Sequence, residues 1–198
     1  MKAFRRVTAP AAVLDRADVD TDQIIPKQFL KRIERTGYGE FLFFDWMKQP
    51  DFELHRAGYA GARILLAGAN FGCGSSREHA AWALQEHGFD VVIAPSFGDI
   101  FRTNSLKIGL LPVELPVDEM RLLMDACRDG AELTVDLELL EIVDPAGRVV
   151  PFELDPFARE CILGGLDEIG LTLRREEAIA SFEQAHPAPV DTTALAAL

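Results

Sequence analysis

Short apolar runs that alternate with helical segments are the feature that most constrains the fold of this 198-residue chain. Residues 63–68 (RILLAG) and 91–94 (VVIA) are predicted buried strands, and residues 76–88 between them have helical spacing. A second helix is predicted over residues 96–108 and a further strand over residues 110–115. Two consecutive strand–helix–strand units form parallel, right-handed crossovers. The predicted fold class is therefore α/β, with a sheet covered by helices.

The turn that follows the first of these strands is rich in glycine and polar residues. Its sequence, NFGCGSSREH over residues 70–79, places Gly72 and Gly74 where the backbone turns sharply before a helix. Helix N-termini stabilise anions through free amides and the helix dipole, and Arg77 adds a guanidinium that suits a carboxylate. The glycine spacing matches neither phosphate-loop nor dinucleotide motifs. The turn therefore predicts a binding site for a small carboxylate or phosphate rather than a nucleotide.

The same turn also has purely structural interpretations. Ser75 and Glu78 have the spacing of a capping box, in which the serine accepts a hydrogen bond from a helix amide and the glutamate reaches back. Arg77 is equally well explained by an ion pair. Cys73 is interpreted as a small packed residue, because no histidine with a third orienting group accompanies it. Spacing alone leaves both an anion site and a simple helix cap open.

The composition excludes several classes of function. A net charge of -12 at pH 7 disfavours nucleic acid and acidic membranes, and no apolar run is long enough to span a bilayer. The three cysteines and four histidines lack the spacing of a disulfide framework or a zinc site, so no metal is expected on this chain. The amino-terminal segment lacks a signal-peptide core, so we expect a cytoplasmic protein. Residues 26–39 are a local exception, because four basic residues against one acidic residue favour a small anion there.

The remaining elements are predicted from periodicity and turn signals. We predict a first strand over residues 7–14, a polar loop over 15–26, a packed aromatic cluster over 41–46, a helix over 118–129, one β-hairpin over 132–150 that turns at 144–147, and short helices over 156–165 and 176–184. The turns at residues 70–76 and 95–97 both follow strands, so both should lie at the carboxyl edge of the sheet, where ligands bind. Asn104 and Ser105 fall too far along the second helix for spacing to place them at that edge.

Several longer motifs point to a known family. They are DVDTDQIIPKQFL from residue 18, NFGCGSSREHAAWAL from residue 70, VVIAPSFGDIFRTNSLKIGLLPV from residue 91 and PFARECILGGLDEIGLTL from residue 156. Through these motifs the chain resembles the small subunits of 3-isopropylmalate dehydratases, which are related to the swivelling domain of aconitase. The resemblance implies one swivelling domain with a layered β/β/α fold over residues 1–185. Residues 186–198 are predicted to be a disordered tail.

The resemblance also implies a reaction and a partner. Members of the family isomerise 2-isopropylmalate to 3-isopropylmalate through isopropylmaleate in leucine biosynthesis, as heterodimers with a large subunit whose cysteines bind a four-iron four-sulfur cluster. By residue correspondence, the resemblance implies that Ser75 is the base that acts on the substrate carbon and that Arg77 binds a substrate carboxylate. Ser76 and Gly74 would border the same anion pocket, and Asp22 would be an acidic residue lining it. The cofactor would then belong to the partner, and this chain alone is expected to be inactive.

One segment departs from the aconitase pattern, and there we predict substrate specificity. Aconitase has an arginine for a third substrate carboxylate where this chain has Glu34, with Arg32 and Arg35 nearby. Such a segment rejects a third carboxylate better than it accepts one. We expect Leu30 and Ile33 to face an isopropyl group instead.

Three alternatives remain open at this point. A sister small subunit acting on homoaconitate or citraconate would differ mainly around residues 30–35. A catalytically silent interaction subunit would use Ser75 only as a helix cap. A stand-alone hydrolase would use Cys73 as its nucleophile and would need no iron.

Overall fold

Seven strands form one mixed sheet in the computed structural model, which describes residues 1–31 and 36–186. In chain order they are β1 (Arg6–Leu14), β2 (Ile64–Ala67), β3 (Val91–Ala94), β4 (Leu111–Glu114), β5 (Glu132–Asp136), β6 (Glu141–Val143) and β7 (Val149–Pro151). Their spatial order is β4–β3–β2–β1–β5–β6–β7. Strands β1 to β4 are parallel, whereas β5, β6 and β7 each run antiparallel to the strand before them in this order.

Seven α-helices accompany this sheet in the described part of the chain. They are α1 (Thr21–Ile24), α2 (Glu78–His87), α3 (Asp99–Ile108), α4 (Val117–Cys127), α5 (Pro156–Gly164), α6 (Glu168–Leu173) and α7 (Glu176–Ala185). Short 3-10 turns fill much of the connection between α1 and β2. No helix within residues 1–31 and 36–186 has the length and apolar character needed to cross a membrane.

The parallel half of the sheet is buried on both faces, as its continuous apolar runs predict. Every residue of β2 and β3 is buried, and the two strands pair with Leu65 opposite Val92. Pro112 is tolerated in β4 because β4 is an edge strand, where a missing N–H can face outward. The predicted strands of this half, helices α2 and α3, and the parallel pairing of β2 with β3 and of β3 with β4 are confirmed, with small shifts of the element boundaries.

The prediction of a single hairpin over residues 132–150 is wrong. The chain makes two turns in this segment and forms three strands, β5, β6 and β7. The additional turn follows Asp136, whose carboxylate accepts hydrogen bonds from the backbone amides of Glu138 and Leu139 at 2.9 and 3.0 Å. Only the second turn, at Asp144, is where the sequence predicts it. Apolar residues continue through the first turn, so the hydrophobic pattern does not mark it.

Helices α1 and α6 form where spacing predicts no helix. Helix α1 lies in the segment predicted to be a loop and is stabilised by a capping box. In that box the Asp20 carboxylate accepts a hydrogen bond from the Gln23 amide at 2.8 Å, and the Gln23 side chain accepts one from the Asp20 amide at 2.8 Å. A helix of four residues is too short to show a periodic pattern. Of the predicted tail, His186 is exposed, and residues 187–198 lie outside the described residues.

The turns after β2 and β3 lie side by side at the carboxyl edge of the parallel strands, as predicted. The Phe71 amide donates to the Ser96 carbonyl at 3.1 Å, and the Gly98 amide donates to the Phe71 carbonyl at 2.9 Å. The segment that leads from β1 into α1 joins them, because the Gly72 amide donates to the Val19 carbonyl at 2.7 Å. Three backbone segments therefore meet at this edge.

Candidate active site

The glycine-rich turn over residues 70–77 lies against the start of α1. The Thr21 amide donates to the Cys73 carbonyl at 3.0 Å, and Asp20 and Cys73 form an isolated parallel β-bridge. One residue earlier in the turn, the Gly72 amide donates to the Val19 carbonyl, in the chain before α1. These backbone bonds fix the turn, so that Ser75 and Arg77 face the residues of α1.

Ser75 does not cap a helix, and the alternative interpretation of Ser75 and Glu78 as a capping box is wrong. Helix α2 begins at Glu78, its N-cap residue is Arg77, and that N-cap has no side-chain hydrogen bond. The reason is local: the Arg77 amide donates to the Ser75 carbonyl at 2.9 Å, and Arg77 itself is extended with φ -109° and ψ 111°. This tight turn separates Ser75 from the first amides of α2.

The Ser75 hydroxyl instead meets a residue 54 positions earlier in the chain. Its Oγ lies 3.2 Å from Oγ1 of Thr21, and Oγ1 of Thr21 also lies 3.1 Å from the Ser75 carbonyl oxygen. Ser75 is exposed, whereas Thr21 is buried with 1% of its surface accessible. The hydroxyl of an exposed serine therefore contacts the hydroxyl of a buried threonine.

Arg77 and Asp22, both predicted site residues, form an ion pair across the same turn. Nη1 of Arg77 donates to Oδ1 of Asp22 at 2.5 Å. The Arg77 hydrogen bond holds the pKa of Asp22 below its ordinary value of 3.8, so the carboxylate is ionised at neutral pH. The guanidinium has five N–H donors, and Asp22 is its only hydrogen-bond acceptor among the described residues. The ion pair therefore orients Arg77 and leaves donors for a carboxylate ligand.

Gly74 and Ser76 are both exposed and flank Ser75. Gly74 has φ +91°, a conformation that residues with a Cβ rarely adopt. A Cβ at this position would lie 3.5 Å from the Asp20 Cβ and 3.7 Å from Thr21 Oγ1, which are ordinary contacts. The turn therefore requires glycine here for its backbone conformation rather than for space.

A cavity of about 480 Å³ opens beside Arg77. Its lining residues are Leu30, Ser76, Arg77, Glu78, His79, Ile100 and Asn104. Leu30, a predicted specificity residue, thus lies in the same cavity as the arginine. The other residues predicted to set specificity, Arg32, Ile33 and Arg35, lie outside the described residues, as does Glu34.

Sequence reasoning missed three residues at this site. Ile100, half exposed, and Asn104, with 7% of its surface accessible, reach the cavity from α3. The third is Thr21, the neighbour of Asp22 in the TDQIIP motif. Helical spacing from Ile100 to Asn104 was the available signal for α3, because residues four apart share a helix face. No local signal pairs Thr21 with Ser75.

Cys73 lacks the environment of an activated nucleophile. Its side chain is partly buried, and that burial, together with the nearby Asp20 charge, raises the pKa of the thiol. A nucleophilic cysteine needs the opposite shift, toward the thiolate. The site therefore disfavours the cysteine-hydrolase alternative.

The described residues offer no ligand set for a metal. Within residues 1–31 and 36–186, no three histidine, cysteine or acidic side chains come together to hold a metal ion. Cys73, Cys127 and Cys161 are all free, and the last two are buried. The described residues therefore do not fit the binding of an iron–sulfur cluster.

Comparison with known proteins identifies the family. The aconitase C-terminal domain profile matches residues 1–118, and the C-terminal domain profile of 3-isopropylmalate dehydratase small subunits matches residues 168–188. The chain is similar to the 3-isopropylmalate dehydratase small subunit of Bacillus licheniformis, with 58% identity covering 93% of this chain and 96% of the relative. The corresponding protein of Bacillus subtilis is 53% identical, covering 92% and 96%.

A solved structure supports the same assignment. The crystal structure of 3-isopropylmalate dehydratase LeuD from Methanocaldococcus jannaschii has a TM-score of 0.66 and 27% identity, covering 89% of this chain and 98% of that one. Sequence and fold thus agree, and the predicted swivelling-domain fold class is confirmed. The chain belongs to the family of 3-isopropylmalate dehydratase small subunits, which carry the aconitase C-terminal domain.

Proposed function

We propose that this chain is the small subunit of a heterodimeric hydro-lyase that isomerises 2-isopropylmalate to 3-isopropylmalate through isopropylmaleate in leucine biosynthesis. The 58% sequence identity to a 3-isopropylmalate dehydratase small subunit supports this reaction. The observation that carries the proposal for this chain's own chemistry is Ser75, an exposed residue that caps no helix and lies in the turn that holds Arg77. Residues 1–185 form the single swivelling domain in this proposal.

Ser75 acts as the base. Its ionised oxygen takes a proton from the substrate carbon next to a carboxylate, and the electron pair of the broken C–H bond forms the new carbon–carbon double bond. The hydroxyl leaves the neighbouring carbon with the electron pair of the broken C–O bond, and it takes up a proton from solvent to become water. Rehydration reverses these steps with the hydroxyl placed on the other carbon.

Arg77 supplies the compensating charge. Negative charge builds on the substrate carboxylate as the adjacent C–H bond breaks, and a guanidinium fixed by Asp22 stabilises that charge without having to reorient. Ser76 and the backbone at Gly74 complete the anion pocket. Leu30 and Ile100 give the adjoining cavity an apolar wall, which suits an isopropyl group better than a third carboxylate.

The partner in this proposal is the large subunit, which carries the four-iron four-sulfur cluster. The term "small subunit" in the names of the relatives supports a partner, and aconitase-family membership supports the cluster. When bound there, the cluster supplies Lewis-acid chemistry to the departing hydroxyl. We place the assembled enzyme in the cytoplasm.

Reconstitution tests the function directly. The purified chain is mixed anaerobically with an iron–sulfur large subunit, and isopropylmaleate is followed by its ultraviolet absorbance. We expect turnover only in the mixture, and a loss of at least about 10²-fold in kcat for Ser75→Ala. Ser181→Ala, an exposed serine on α7, serves as the matched control.

Three results would contradict the proposal. Undiminished turnover by a folded Ser75→Ala complex would show that Ser75 is not the base. Faster turnover of citraconate or homoaconitate than of isopropylmaleate would favour a sister enzyme. Activity of the purified chain without iron would instead support a stand-alone hydrolase.

A further inference from the structure

Thr21 occupies an unusual position behind Ser75. It is the first residue of α1, it has 1% of its surface accessible, and its hydroxyl contacts Ser75 at two atoms. Those atoms are the Ser75 carbonyl oxygen, at 3.1 Å, and Ser75 Oγ, at 3.2 Å. The contact therefore joins the proposed base to a residue with almost no accessible surface.

Counting hydrogens shows what this contact does when Ser75 is neutral. A threonine hydroxyl has one hydrogen to donate and two lone pairs to accept with. If Thr21 donates to the Ser75 carbonyl, only Ser75 can donate in the contact between the two hydroxyls. The hydrogen of Ser75 then points into the protein, and its lone pairs point outward.

The arrangement must change when Ser75 is ionised and its proton has passed to solvent. An alkoxide has no hydrogen, so only the Thr21 hydrogen can occupy the contact between the two oxygens. The Thr21 hydroxyl swings from the carbonyl to Ser75 Oγ and becomes a charge-assisted donor. Once the alkoxide takes the substrate proton, Ser75 regains its hydrogen and the Thr21 hydrogen returns to the carbonyl.

We propose that Thr21 is a positioning residue for Ser75, which orients the neutral hydroxyl and stabilises its ionised form by switching its own hydrogen bond. The inference rests on the proposed role of Ser75 as base. It assigns a function to a residue that touches Ser75 and not the substrate.

The surroundings of Thr21 keep its oxygen fixed during this switch. Its amide is bonded to the Cys73 carbonyl at 3.0 Å, and the Asp20–Gln23 capping box closes the helix around it. Ile24 and Ile25, both fully buried, anchor the same segment in the core. Only rotation about the Cβ–Oγ1 bond is needed, so no heavy atom has to move. A donor fixed in this way stabilises developing charge with little reorganisation.

Variants of Thr21 in the reconstituted enzyme test the inference. Thr21→Val keeps the shape but removes the hydroxyl, and Thr21→Ser keeps the hydroxyl. We expect Thr21→Val to lower kcat about 10- to 100-fold, the range for one hydrogen bond to a charged acceptor, with KM changed less than about 2-fold. Thr21→Ser should restore most of the lost kcat. In a Ser75→Ala background, Thr21→Val should cause no further loss.

Each other outcome is decisive. Wild-type kcat in Thr21→Val, with Ser75→Ala inactive, would overturn the inference and leave the proposed function standing. Full activity of Ser75→Ala would overturn both. Equal losses in Thr21→Val and Thr21→Ser would show a packing role only and would also overturn it. If Thr21→Val does not fold, Thr21→Ala replaces it, with kcat expressed per folded complex measured by circular dichroism.

Discussion

Replacing Gly72 with alanine should destabilise the protein more than the same replacement at Gly147. Both glycines have a positive φ, +74° and +84°. A Cβ on Gly72 would lie 2.2 Å from Cγ of Phe101, a core residue with 2% of its surface accessible. A Cβ on Gly147 would meet nothing within 4 Å. The two variants therefore share the backbone cost, and only one adds a collision.

The expected magnitudes follow from this difference. An alanine held in the left-handed region costs about 1–2 kcal/mol of unfolding free energy. Forcing a methyl group into a packed core adds about 1–3 kcal/mol. We therefore expect a loss of about 2–5 kcal/mol for Gly72→Ala and about 1–2 kcal/mol for Gly147→Ala. In a chain of this size, each 1 kcal/mol lowers Tm by about 2–4 °C.

Urea unfolding of the two glycine variants measures the difference in their free energies of unfolding. Truncation of the Phe101 ring tests whether the collision with that ring causes the difference. Phe101 packs against Phe71 and Phe97 with ring centroids 5.4 and 6.1 Å away, so Phe101→Leu is itself destabilising. In a double-mutant cycle, Phe101→Leu should cost less in the Gly72→Ala background than in the wild type. Equal losses for both alanine variants, or strictly additive effects in the cycle, would refute the steric argument. Because Gly72 precedes Cys73 and Ser75, we also expect lower turnover for Gly72→Ala.

Two further predictions concern titration and reactivity. The Arg77 hydrogen bond lowers the pKa of Asp22 in the folded protein. The Asp22 carboxylate therefore stabilises the fold at pH values above its ordinary pKa of 3.8, and this stabilisation is lost as the pH falls through the lower pKa of the folded state. Arg77→Gln should therefore raise the pKa of Asp22 toward 3.8 in a carbon-13 NMR titration, and an unchanged midpoint would contradict the ion pair. Burial raises the pKa of the Cys127 thiol to about 12, whereas Cys73 is partly exposed. A thiol reagent at pH 8 should modify Cys73 first and leave Cys127 unmodified until urea is added, and peptide mapping by mass spectrometry measures both. Equal labelling of the two cysteines in the native protein would contradict the burial of Cys127.

The sequence by itself determined the parallel half of the fold. Strands β2 and β3 are continuous apolar runs, and α2 lies between them with helical spacing, so short segments carry enough information to predict strand, crossover and strand. The same local information predicted that the turns after β2 and β3 share one edge. The long motifs identified the family, which the comparisons confirm.

Prediction failed where short-range patterns are weak or ambiguous. Helix α1 has four residues, and the turn after Asp136 interrupts an apolar stretch without glycine or proline. Ser75 and Glu78 have the spacing of a capping box, yet the chain between them makes a tight turn, and α2 begins too late for Ser75 to cap it. Spacing cannot distinguish these two conformations, because both satisfy the same residue pattern.

Only the tertiary structure decided what Ser75 contacts. Its partner, Thr21, is 54 residues away in the chain, and the two meet because β1 and β2 are adjacent parallel strands whose ends lie at one edge. Asp22 reaches Arg77 for the same reason, across 55 residues. Contacts of this kind depend on how the strands pair, and strand pairing is a property of the assembled sheet rather than of any one segment.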